Sequence, residues 1–159
     1  MLMTELFTIG HSNHGLLEFL GILNKLGIRV LVDIRSEPYS RYSPQFNRSD
    51  LQHHLEAAGI QYRYSGAAIG GKPRDPSLYT PAGKPDYDGL AATAAFRDEL
   101  KAVVEIARTR RVALMCSEAD PAACHRERII APMLRGWGIT VTNIMPDGTT
   151  GEPEQKNLF

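Results

Sequence analysis

Ile28-Arg29-Val30-Leu31-Val32-Asp33-Ile34-Arg35 is the stretch on which the fold turns. Its centre is apolar at consecutive positions, the mark of a strand covered on both faces, and a charged pair stands at its carboxyl end. Upstream, residues 5–9 form a second strand candidate, stopped by Gly10. Between the two, Leu16, Leu17, Leu20 and Leu23 share one helical face, with Ser12 or Asn13 as a cap and Gly27 as the stop. Downstream, Leu51, Leu55 and Ala58 mark a helix closed by Gly59, and residues 60–64 alternate as a third strand. Phe96, Leu100, Val103, Val104 and Ala107 then give a helix and residues 112–116 an unbroken apolar strand. A last helix is expected to open at Asp120-Pro121 and to kink at Pro132, before an alternating strand over 140–145.

Strand–helix alternation of this kind implies an α/β fold: a mostly parallel five-stranded sheet with helices on both faces, a three-layer sandwich. The runs at 5–9, 28–34 and 112–116 are inner strands; 60–64 and 140–145 alternate and are edges. Right-handed crossovers then favour the order 3-2-1-4-5. Residues 1–145 read as a single domain, with a long loop at 65–88 rich in Pro and Gly, and residues 146–159 as a polar tail.

The chain has 159 residues, 43% of them apolar and 23% charged, an ordinary globular balance. Lys plus Arg equals Asp plus Glu at 18 each, so there is no global basic excess for coating nucleic acid, and an anion site must be local. Two cysteines build no disulfide framework, the opening carries no basic n-region, and no apolar run approaches the ~20 residues of a bilayer span. A cytoplasmic protein with reduced thiols and no membrane partner is expected.

The candidate chemistry gathers where the strands end. Gly10-His11-Ser12 follows the first strand, Asp33-Ile34-Arg35 closes the second, Cys116-Ser117-Glu118 the fourth, and Cys124-His125-Arg126 opens the next helix. In open α/β sheets ligands bind outside those carboxyl ends, so His11, Asp33, Arg35, Cys116, Glu118, Cys124 and Arg126 are expected to line one pocket. His11 reads as a general acid or base oriented by Asp33 or Glu118, or as a helix-entry histidine with a local bond. Cys116 reads either as a nucleophile or, by preference, as a core residue; the arginine six positions on that a phosphatase needs is replaced by Ala122. Cys124, in a helix's first turns, reads equally as a thiolate or as a packed thiol, and His125 stands beside it as a further catalytic candidate. Arg35, Arg41 and Arg126, with Ser12, form a candidate anion clamp, and Gly70-Gly71 allow a close backbone approach to a ligand. Between 35 and 74 six positives face three negatives, with Tyr39, Tyr42, Phe46, Tyr62 and Tyr64 interleaved, a composition that suits stacked bases on a phosphate chain. No metal-ligand or dinucleotide fingerprint is present, and no cofactor is expected.

The segments Thr8-Ile9-Gly10-His11-Ser12, Val32 to Pro38 with Ser40-Arg41, Ile69-Gly70-Gly71, and Cys116-Ser117-Glu118 with Cys124-His125-Arg126 also carry a resemblance. In that order they resemble the bacterial family known as domain of unknown function 488, over about residues 7–144. The resemblance implies an α/β fold and supplies no reaction. The expectation is therefore an enzyme acting on a phosphate-bearing substrate, a nucleotide or nucleic acid. The alternatives are a non-catalytic binding module in DNA metabolism, or a thiol or metal sensor. Finally, Gln155, Leu158 and Phe159 resemble the peptide by which replication and repair proteins hold the DNA sliding clamp, or else pack on their own domain.

Overall fold

The computed structural model describes residues 4–12, 14–118 and 124–151. Chain order is β1 (Glu5–Gly10), α1 (Leu16–Lys25), β2 (Val30–Asp33), α2 (Arg48–Ala57), β3 (Gln61–Tyr64), α3 (Gly66–Ile69), α4 (Tyr87–Ala91) and α5 (Ala94–Ala107). There follow β4 (Val112–Cys116), a π-helical turn (Arg126–Ile130), α6 (Ala131–Gly136), β5 (Thr140–Ile144) and a short β6 (Thr150–Gly151). The architecture is the expected α/β sandwich. Side chains alternate across each strand, and the two faces hold separate cores. Leu6, Val30, Val32, Val112, Leu114 and Val141 pack under Phe96, Leu100 and Val103 of α5 and Leu134 of α6. Phe7, Ile9, Leu31, Ala113 and Met115 pack under Phe19 and Leu23 of α1 and Leu51 and Leu55 of α2.

The strand order is corrected. The sheet runs β3-β2-β4-β1-β5-β6, so β4 lies between β2 and β1, where the sequence put β1 between β2 and β4. A continuous apolar run reports that both faces are covered, and β1 and β4 share that signal, so it does not rank them. The register supplies the missing term. Ala113 pairs with both Phe7 and Leu31, and its small side chain makes room for two large neighbours in one row beneath α1 and α2. The first five strands are parallel, and β6 adds an antiparallel strand opposite Asn143 and Ile144. Residues 150–151, expected in the tail, therefore belong to the sheet. The 65–88 segment likewise carries α3, a 3-10 turn at Pro76–Leu78 capped by Asp75, and a Tyr79–Pro85 bridge.

Local chemistry sets the ends of the elements. Thr93 caps α5 by accepting from the Phe96 N–H at 3.2 Å, and Gly27 and Gly59 take the left-handed φ of 72° and 80° that stops α1 and α2. Pro132 sits in the first turn of α6, directly after the π-helical turn, so the helix changes winding there. The expected caps Asn13 and Asp120-Pro121, and the clamp-binding residues Gln155, Leu158 and Phe159, lie outside the described residues. Among the described residues no helix is long and apolar enough to cross a membrane.

Candidate functional site

All five parallel strands end at one edge, and β1, β2 and β4 end level there: Gly10 pairs with Cys116, and Asp33 with Met115. The chain leaves β1 and β2 toward the α1–α2 face and β4 toward the α5–α6 face, which opens a crevice between them. The cleft there has a volume of about 290 Å³. It is lined by Arg35, Ser36, Glu37, Tyr39, Gly71 and Lys72 together with Tyr87, Cys116, Ser117, Glu118, Cys124 and His125.

The seven residues expected in one pocket divide between two clusters. Register explains the split. Asp33 pairs with Met115 and shares its face with Leu31, whereas Cys116 shares its face with Leu114 beneath α5 and α6. On the α1–α2 face, Asp33 is fully buried and accepts from Arg35 Nε at 2.9 Å, Arg35 Nη2 at 2.8 Å and the Tyr62 hydroxyl at 2.7 Å. Arg35 Nη2 also donates to the Phe46 carbonyl at 2.7 Å. Burial, together with the Asp33 charge, pushes the Tyr62 hydroxyl well above the ordinary tyrosine range. His11 stacks on Phe46 with ring centroids 4.6 Å apart, donates from Nδ1 to the Ser12 carbonyl at 2.8 Å, and faces Arg35 Nη1 with Nε2 at 3.4 Å. Burial lowers its pKa to about 4, and the Arg35 charge acts in the same direction. Asp33 therefore orients Arg35 rather than His11, and His11 sits beneath the cleft as a neutral ring. His14 adds a tie, bridging the His11 carbonyl at 2.9 Å and the Pro146 carbonyl at 2.8 Å.

The α5–α6 cluster holds the two thiols. Cys124 Sγ donates to Cys116 Sγ across 3.2 Å, and the Arg126 N–H donates to Cys124 Sγ at 3.3 Å. Below them Arg126 is fully buried, with Nη2 on the Glu118 carbonyl at 3.3 Å. The hydrogen bond from Cys124 holds the Cys116 thiol below its ordinary pKa against the opposing effect of burial, and the Arg126 charge adds to it. Cys124 moves up, because it gives its proton to that bond and is itself desolvated. The sequence read Cys124 equally as a thiolate or a packed thiol and Cys116 by preference as a core residue; the hydrogen bond between them favours the thiolate at Cys116. Cys116 accepts from Cys124 and itself donates to the Glu118 carbonyl at 3.5 Å, and of the two thiols it is the one whose pKa is lowered. His125 donates from Nε2 to the Ile69 carbonyl at 2.9 Å, and burial lowers its pKa to about 4, so its ring is neutral at pH 7.

Three candidate binding residues fall elsewhere. Arg41 is exposed and lines neither this cleft nor the adjoining groove, and Arg126 lies under the thiols rather than in the cleft. Ser12 contributes its backbone: its N–H donates to the Ser117 carbonyl at 2.9 Å, and its φ of 46° is left-handed. Gly70 and Gly71 do allow a close approach, but to this chain. A Cβ on Gly70 would stand 2.3 Å from Ser36 Oγ, and one on Gly71 2.9 Å from the His125 ring.

Sequence reasoning did not single out Ser36 and Tyr87, and counted Lys72 only among the six positives between 35 and 74. The Lys72 N–H donates to Ser36 Oγ at 2.8 Å, which ties the glycine loop to the end of β2. Its signal was its place directly after Gly71. Ser36, Tyr39 and Lys72 also border a second groove of about 550 Å³, lined by Arg48, Tyr64 and Arg74 among others; the Arg48 guanidinium lies 4.2 Å from the Tyr64 ring centre. Among the described residues no group of three or more His, Cys, Asp or Glu is placed to hold a metal ion.

No curated protein and no solved structure matches the chain. A family model does, over residues 16–133, a narrower span than the resemblance of its motifs and one that begins after β1 and ends within α6. That match covers the cysteine pair, the Asp33–Arg35 pair and the glycine loop, and the chain belongs to the family described as domain of unknown function DUF488.

Proposed function

We propose that the protein is a cytoplasmic enzyme acting on a phosphate-bearing substrate, a nucleotide or nucleic acid, with Cys116 as its nucleophile. The observation that carries this reading is the thiol pair: Cys116 lines the cleft, 3.2 Å from its donor Cys124, with a buried guanidinium beneath. A thiolate is the reactive form of cysteine, and a hydrogen-bond donor with a nearby cation is what maintains it near neutral pH. Arg35, held rigid by Asp33, and the exposed Lys72 supply positive charge where an anionic group would enter. Arg48 and Arg74 continue that charge along the adjoining groove, with Tyr39 and Tyr64 as stacking surfaces, the combination that suits a phosphate chain with bases. Glu37 and Glu118 are exposed carboxylates in the same cleft, and Glu118 is the candidate general acid or base.

A non-catalytic binding module is the second reading. It is favoured by the state of His11, whose two ring nitrogens are both engaged within the fold. One experiment separates the two. Purified protein is incubated with mononucleotides and single-stranded oligonucleotides, with binding followed by fluorescence anisotropy and turnover by mass spectrometry. The enzyme reading expects product that disappears in Cys116→Ser while binding persists, and weaker binding in Lys72→Gln. Binding without product supports the module. Absence of binding to every phosphate-bearing ligand overturns both.

A further inference from the structure

We propose that Cys116 and Cys124 are an oxidative modification site, closing to a reversible intramolecular disulfide on exposure to a hydroperoxide. The inference stands on geometry independent of the substrate reading. The two sulfurs are already 3.2 Å apart, so about 1 Å of approach converts the contact into a bond of ~2.05 Å. Both cysteines line the same cleft, so a small oxidant entering it meets Cys116 with Cys124 as its immediate neighbour. Neither sulfur is committed elsewhere to a metal cluster among the described residues. The hydrogen bond between them also orders their roles. Cys116, which accepts that bond and whose thiolate it favours, reacts first; Cys124, its donor, resolves.

In the first step the Cys116 thiolate attacks one peroxide oxygen. An S–O bond forms, the O–O bond breaks, and the second oxygen leaves as hydroxide, which is protonated to water. Cys116 is then a sulfenic acid, oxidised by two electrons, and the peroxide is reduced. In the second step Cys124 sulfur attacks Cys116 sulfur. The S–S bond forms, the S–O bond breaks, and the departing hydroxide takes the Cys124 proton as water. Two thiols and one hydrogen peroxide thus give one disulfide and two waters. A dithiol reductant restores both thiols. Because Cys124 lies directly against Cys116, the disulfide forms ahead of further oxygen addition, which protects Cys116 from irreversible oxidation.

Reduced, purified protein is treated with hydrogen peroxide at neutral pH and read by intact mass, free-thiol titration and peptide mapping. The expected result is loss of two hydrogens with no oxygen added, a fall from two titratable thiols to none, and one Cys116–Cys124 cross-linked peptide within a monomer. Dithiothreitol should reverse all three. In Cys124→Ser the sulfenic acid has no partner, so dimedone should trap it on Cys116, and excess peroxide should add oxygens there. Two intact thiols after peroxide, oxygen addition at Cys116 of wild-type protein without a cross-link, or disulfides only between molecules would each overturn the proposal. None of these readouts uses a substrate, so a failed turnover assay leaves the result standing, and the reverse.

Discussion

Replacing Asp33 with alanine should destabilise the protein more than any other single change at the carboxyl edge. Asp33 and Arg35 are 0% and 5% exposed, and the carboxylate accepts from Arg35 Nε, Arg35 Nη2 and the Tyr62 hydroxyl, all within 3 Å. Asp33→Ala leaves the guanidinium buried with its counter-charge gone, a loss of about 3–5 kcal/mol. For a domain of this length each kcal/mol moves Tm by about 2–4 °C, so melting should fall by about 6–20 °C. Tyr62→Phe removes one hydrogen bond to a charged group and should cost about 1.5–3 kcal/mol. Asp33→Leu combined with Arg35→Met removes both charges together and should recover most of the loss. Urea titrations of wild type, Asp33→Leu, Arg35→Met and the double variant give the coupling energy directly. Asp33→Asn, which keeps the shape, serves if Asp33→Ala is too unstable to titrate. An Asp33→Ala cost below about 1 kcal/mol, or losses that simply add in the double variant, would refute the buried-pair account of how Arg35 is held at the cleft.

Two further outcomes follow from the same geometry. His11 and His125 each have a pKa lowered from 6.5 to about 4, so between those values the unfolded chain binds more protons than the folded one. Stability should therefore be greatest above pH 6.5 and fall as pH drops toward 4, by a limit on the order of 3 kcal/mol for each histidine; a pH series of urea titrations in which His11→Gln is no flatter than wild type would contradict this. Gly66→Ala should disrupt the glycine loop, because its Cβ would lie 1.8 Å from the Arg35 carbonyl, whereas Gly21→Ala in α1 meets nothing within 4 Å and should stabilise by about 0.5–1 kcal/mol; thermal melts of the two variants check the contrast.

What the sequence disclosed, and where it stopped, follows from the range of its signals. Periodicity is local, so α1, α5 and the parallel strands were legible, including β4 as a buried run from Val112 to Cys116. Strand order is not local. Which of β1 and β4 touches β2 is a matter of pairing between distant segments, in which Ala113 comes to lie between Phe7 and Leu31. The same limit divided the site. That His11, Arg35, Cys116 and Cys124 gather at one edge could be read from strand ends. That Asp33 faces α1 and α2 while Cys116 faces α5 and α6 required the pairing of Asp33 with Met115. Helix position left Cys124 open between thiolate and packed thiol, because the dipole argument knows nothing of the sulfur 3.2 Å away that takes its hydrogen bond. The short helices α3 and α4, in and just after the 65–88 segment, escaped because they are too brief to show a period.

The account rests on Cys116 being the more acidic of the two thiols, and the pH dependence of its alkylation tests that most directly. Wild-type protein is pulsed with substoichiometric iodoacetamide across a pH series, and each cysteine is followed separately by peptide mapping. Cys116 should be labelled first at every pH, with a midpoint below the ordinary thiol value of 9.0, and Arg126→Met should move that midpoint upward. Preferential labelling of Cys124, or a Cys116 midpoint at or above 9.0, would contradict the account.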